Sequence, residues 1–170
     1  MNEQRCPNIV DIEASGFGNL SYPVEIGIAK STGERYCALI KPEAHWTYWS
    51  DSAEQLHGIS RDVLLQRGKP AKQVCHEINA FLGRSQVFSD ALAHDQSWLN
   101  KLFNTMRVNQ SFKLRAIEHI MLEEQFNVWD KVKSELEHKL QMVRHRASSD
   151  ALLIQQTYLC SRQAANSPAA

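Results

Sequence analysis

The chain has 170 residues, 43% of them hydrophobic and 22% charged, and its 19 basic residues balance 19 acidic ones. That length and mix suit one soluble globular domain of ordinary size, with no apolar run near the roughly 18 residues of a membrane span. The neutral balance argues against a long duplex-binding surface, which would make the domain strongly basic, but leaves room for a protein that grips a strand end. The opening residues, MNEQRCPN, have no secretory signal pattern, so the cytoplasm is the expected location. Cys6, Cys37, Cys75 and Cys160 lie far apart, without C-x-x-C or zinc-finger spacing, and are expected as reduced, mostly buried thiols.

In chain order, NIVDIEA, PVEIGIAK and RYCALIK read as three strands joined as hairpins, hence antiparallel, with STG as one turn and Pro42 closing the third strand. From about Ser50 the pattern turns helical. SDSAEQLHG and SRDVLLQRG each begin with cap chemistry and stop at a glycine, Gly58 and Gly68. AKQVCHEINAFLG carries Val74, Ile78, Phe81 and Leu82 at helical spacing. SQVFSDA is a fourth strand. DQSWLNKLFNTM puts Trp98, Leu99, Leu102, Phe103 and Met106 on one helical stripe. SFKLRAIEHIM holds a short fifth strand followed by a helix, residues 122–141 form a polar-faced helix, and a last helix runs from about Ala147 to Arg162. Together these predict a single domain over 1–170, with its core at about 8–162 and a frayed tail at 163–170. The expected fold is a mixed five-stranded sheet, its first three strands antiparallel, with helices covering its faces.

The first strand raises a chemical question. Asp11 and Glu13 are two residues apart, so they share a face, opposite Val10 and Ile12. Two close carboxylates resist joint ionisation, so a positive group, an Arg, a Lys or a divalent metal, belongs between them. A surface strand with one solvated face is the plainer alternative. Asp95 precedes Trp98 and Leu99 by three and four residues and so extends that buried stripe; Asp90 is its rival nearby. Asp150 has Ala147 and Ile154 at i−3 and i+4 and also faces inward, with His145 five residues upstream of it.

DIEASG, Glu25 in PVEIG, QLHGIS, SDALAHDQSWL and HRASSDA occur in the order seen in the DEDDh, or DnaQ-like, 3′–5′ exonucleases, a branch of the ribonuclease H-like superfamily. The chain resembles that family from about Ile9 to Leu159. The resemblance implies a ribonuclease H-like fold and a phosphodiester hydrolase that uses two divalent metal ions, Mg²⁺ or Mn²⁺. It matches Asp11 and Glu13 to the first motif, Asp95 to the second, and His145 and Asp150 to the third. The four acids are then the metal ligands and His145 the general base. The family often has Thr where Ser15 stands, and its second motif usually has Asn and Phe where this chain has Ala91 and His94.

The resemblance also implies a partner, the 3′ end of single-stranded nucleic acid, and a homodimer is possible since many relatives form one. Backbone groups around Ala14, Ser15 and Gly16 are expected at the terminal sugar. Phe17 is either a base-stacking residue or a core residue. Arg144 and Arg146 flank the base and are either phosphate contacts or a solvated pair. His57 is expected to pack, and Trp46 and Trp49 either line a groove or form an apolar lid. A catalytically silent binding module, or a proofreading or trimming subunit that acts only in an assembly, are the alternatives to a free-standing enzyme.

Overall fold

The computed structural model describes residues 6–141 and 145–166. Strands β1 (Ile9–Ala14), β2 (Pro23–Ala29) and β3 (Arg35–Lys41) form the antiparallel meander. Helices α1 (Asp51–His57) and α2 (Arg61–Arg67) follow, then β4 (Lys69–Pro70) and α3 (Ala71–Leu82). After them come β5 (Gln86–Ser89), α4 (Leu92–Met106), β6 (Lys113–Ala116), a 3₁₀ turn (Ile117–Ile120), α5 (Glu123–Leu140) and α6 (Ala147–Asn166). The sheet has six strands in the order β4-β3-β2-β1-β5-β6, with β5 parallel to β1 and β6 parallel to β5. The fold is therefore α/β with a mixed sheet, as expected, and the additional strand is β4. Two residues with Pro70 at the end carry no alternating pattern that would mark them as a strand.

Each face of the sheet has its own core. Val10, Ile12, Val24, Ile26 and Ile28 join Val74, Ile78, Leu99, Leu102 and Phe103 on one side. Ile9, Ala29 and Phe88 meet Ala151, Ile154 and Tyr158 of α6 on the other. Strand β2 is buried at all of its positions because both faces are covered. Alternation along β1 then puts Asp11 and Glu13 on the α6 side with Ile9.

Several expectations change in detail. Helix α4 begins at Leu92, three residues before Asp95, because the apolar stripe that marks the helix starts only at Trp98. The segment after β6 makes a 3₁₀ turn rather than an α-helix. Helix α6 continues through Asn166, so 163–166 belong to it. Trp46 is buried and stacked on Tyr22, with ring centroids 5.3 Å apart. Trp49 is half-buried and donates its indole N–H to Glu54 at 2.6 Å. Trp46 is part of the hydrophobic core, and Trp49 packs against that core and against α1. All four cysteines are free, yet only Cys75 is fully buried, and Cys37 is exposed. No helix among the described residues is long and apolar enough to cross a membrane.

Candidate active site

The carboxylates come together because of how β1, β2 and α6 meet. In the β1–β2 register Asp11 lies opposite Gly27 and Glu13 opposite Glu25. Directly opposed residues share a face. Gly27 therefore leaves a gap in the sheet surface beside Asp11, and the first turn of α6 fills it. A Cβ at Gly27 would stand 2.1 Å from the Ala147 carbonyl carbon and 2.2 Å from the Ser148 nitrogen. Only a hydrogen at this position lets the helix approach so closely.

Glu25 pins the same turn. Its carboxylate is fully buried and accepts from Arg146 Nη2 at 2.6 Å, from Arg146 Nε at 3.1 Å and from the Ala147 N–H at 2.9 Å. It serves as a cap from outside the helix and as the partner of a bidentate guanidinium. Arg35 adds a bond to the Ser148 carbonyl at 2.6 Å, and Gln155 Nε2 donates to the Pro7 carbonyl at 2.7 Å. Asp150, one turn into α6, is thereby held next to β1. His145, just before Arg146, has φ 57°, a left-handed conformation that a non-glycine residue adopts at some cost.

From the other side comes Asp95. Its carboxylate is 2% exposed and accepts from the Ser89 hydroxyl, which in turn accepts from the Ala91 N–H at 2.9 Å. Asp90 lies at the rim, paired with Lys133 of α5 at 2.8 Å.

These groups line one cleft of about 360 Å³, with Asp11, Glu13, Asp90, Asp95, Asp150, His94, His145 and Lys133 as its charged and titratable walls. One donor atom from each of Glu13, His145 and Asp150 lies within 4.8 Å of the others, close enough to share a cation. The electrostatics fit that chemistry. Burial, followed by the fields of Asp95, Glu13, Asp150 and Asp90, holds the Asp11 carboxyl well above the usual carboxylate range. Burial is also the main cause that pushes Asp95 up to about 7, against the opposing hydrogen bond from Ser89. Hard divalent cations take carboxylate oxygens as ligands, and a cluster of converging carboxylates is the donor type that suits them.

The remaining expected site residues fall as follows. Phe17 is 68% exposed at the mouth of the cleft, edge-on to His94 at 5.3 Å and tilted to Trp98 at 6.3 Å, so it is not a core residue. Ser15 is buried, and its polar groups bond within the protein. Its N–H reaches the Tyr22 carbonyl, its own carbonyl accepts from Ser50, and its hydroxyl accepts from the Tyr22 N–H. It shapes the loop rather than offering these groups outward. Ala14 is buried at the end of β1, and Gly16 has φ 147° with Tyr48 where a Cβ would go. Arg146 is committed to Glu25 as described. Arg144 lies outside the described residues. His57 is buried, its Nδ1 accepting from Ile59 N–H at 3.0 Å, which is a packing role.

No protein-family model matches the chain, and no curated protein matches it. Its fold does match solved structures. One is E. coli Exonuclease I in complex with a dA16 oligonucleotide, with a TM-score of 0.68 and 13% identity over 92% of this chain. Another is Exonuclease I from Methylocaldum szegediense, with a TM-score of 0.71 and 11% identity over 93% of this chain. The chain spans about two fifths of the length of these proteins, 41% in both cases. The chain therefore shares the fold of this part of the Exonuclease I structures.

Proposed function

We propose that the chain is a metal-dependent 3′–5′ exonuclease that removes nucleotides from the 3′ end of single-stranded DNA or RNA. The observation that carries this reading is the convergence, in one open cleft, of Asp11, Glu13, Asp95, Asp150 and His145 from three separated elements. The fold shared with Exonuclease I supports it.

Asp11, Glu13, Asp95 and Asp150 would hold two divalent ions, Mg²⁺ or Mn²⁺. Bound there, the ions would neutralise charge on the phosphate oxygens as the attacking oxygen arrives and the leaving oxygen departs. The protein's own groups do the rest. Ser89 orients the Asp95 carboxylate. Glu25 and Gly27 set the position of Asp150 through α6. His145, on the same wall as Glu13 and Asp150, takes the proton from the attacking water, a task suited to an imidazole with a ring nitrogen free to accept it. Phe17, with His94 and Trp98 behind it, offers an aromatic surface for the last base.

The test is a gel time course on 5′-labelled single-stranded DNA and RNA oligomers with Mg²⁺, with Mn²⁺ and with chelator, beside Asp11→Ala. The expected result is a ladder shortening from the 3′ end, absent in chelator and in the variant. A wild-type protein that cuts neither polymer with either metal refutes the reading.

A further inference from the structure

Five acids line the cleft beside apolar and aromatic side chains, and its substrate on the proposed reading is an anion. Asp11, Glu13, Asp90, Asp95 and Asp150 line it, and among the described residues Lys133 is the one lysine or arginine that does. Lys133 does not sit where the other lysines of α5 sit. Lys131 and Lys139 are exposed on the outer face, whereas Lys133 follows Trp129 by four residues on the half-buried face turned toward the protein. Its ammonium reaches Asp90 at 2.8 Å, and the two side chains keep 24% and 21% of their exposure. The pair is part-buried, and both of its side chains line the cleft, so a ligand in the cleft meets it directly. It is also open to exchange: an incoming anion can take the ammonium without first dismantling the core.

We propose that Lys133 is a phosphate-binding residue, exchanging Asp90 for a backbone phosphate of the bound strand. In the free protein Asp90 holds the side chain stretched toward the cleft, so little side-chain freedom is lost when the phosphate replaces it. The contact is a point charge on a phosphodiester and carries no base preference. It comes from α5, whereas the aromatic surface of Phe17, His94 and Trp98 comes from the β1–β2 loop and α4. The strand is thus gripped by a base on one element and a phosphate on another. The inference rests on the exonuclease reading for the identity of the polyanion.

The experiment measures Kd against salt concentration, by fluorescence anisotropy, for phosphorothioate-linked single-stranded octamers of DNA and RNA with Mg²⁺. Wild type, Lys133→Met and Asp90→Asn are compared, with circular dichroism and Tm as folding controls. Loss of one phosphate contact should weaken binding roughly three- to tenfold and lower the slope of log Kd against log salt by about 0.7. Asp90→Asn, which frees the lysine, should keep the slope and bind at least as tightly as wild type. The two halves of one ion pair then act in opposite directions. A folded Lys133→Met protein with the wild-type slope overturns the proposal, and leaves the pair as a tie between α5 and the β5–α4 turn. A wild-type protein that neither binds nor cuts either polymer removes the exonuclease reading and the proposal with it.

Discussion

Replacing Gly27 by alanine should damage activity far more than a single methyl group suggests. The added Cβ would stand 2.1 Å from the Ala147 carbonyl carbon and 2.3 Å from its oxygen. Ordinary contact needs about 3.4 Å, so the α6 backbone has to retreat by about 1.3 Å. Nothing flexible lies in between, since the atoms met are main chain. The retreat stretches the bonds from Ala147 and Arg146 to Glu25, 2.6–3.2 Å in the native protein. It carries Asp150 and His145 away from Asp11 and Glu13. Overpacking of this kind costs about 1–3 kcal/mol, or a Tm lower by roughly 3–10 °C for a chain of this size. Misplacing reacting groups by about 1 Å costs on the order of 10²-fold in rate. The assay is kcat on a 5′-labelled single-stranded oligomer with Mg²⁺, beside a thermal melt, with Gly33→Ala as the control. Gly33 has φ 90° and open space around its Cβ position, in the β2–β3 turn, so its variant carries backbone strain without a clash. If Gly27→Ala keeps its kcat within twofold of the control, the close docking of α6 on β2 does not set the geometry of the cleft.

In chelator, the protein should lose stability as pH rises from about 4 to 7. Asp95 is raised to about 7 from an ordinary 3.8, so across that window the unfolded chain has released a proton that the native one retains. The loss is at most about 4 kcal/mol, read from urea melts at several pH values; a flat profile contradicts the burial argument. Asp11→Asn removes an acid whose ionisation its surroundings oppose, so the chelated variant should melt above wild type at pH 7 while being inactive. A lower Tm would mean that the carboxylate is stabilised by a partner. His145→Gln should slow turnover by about 10²–10⁴-fold with Mn²⁺ affinity unchanged by calorimetry; an affinity that falls in step makes His145 a ligand alongside Glu13 and Asp150. Phe17→Ala, at a 68% exposed site, should leave Tm alone and weaken strand binding by about 1–3 kcal/mol, seen in KM; an unchanged KM removes it from the substrate path.

The strands and helices that hold the carboxylates were readable because each carries its own periodicity. Ile9, Val10 and Ile12 announce β1, and the stripe from Trp98 to Phe103 turns Asp95 inward, where it is 2% exposed. Asp150 follows from Ala147 and Ile154 in the same way. What escaped depends on pairing across the chain. Nothing local to Glu25 says that its partner is Arg146, 121 positions later, and nothing local to Gly27 says that a helix end will rest on it. Ser89 and Lys133 escaped for the same reason, one because its hydroxyl serves an aspartate on the next element, the other because a polar helix hides a single inward lysine among outward ones. Trp46 and Trp49 lay in a segment without period, so only tertiary packing could show that one stacks on Tyr22 in the core and the other bonds to Glu54 of α1.

The two margins of the sheet have a consequence for self-association. At one, β3 is closed off by β4, two residues long and ending in Pro70, which has no N–H to offer a further strand. At the other, β6 points Lys113 and Arg115 outward, with both exposed, so a second copy pairing there antiparallel would bring cation against cation. Neither margin is a good template for adding strands. The molecule can therefore carry a sheet six strands wide through synthesis and storage with little tendency to polymerise edge to edge, and the antiparallel meander at its centre stays inside the fold.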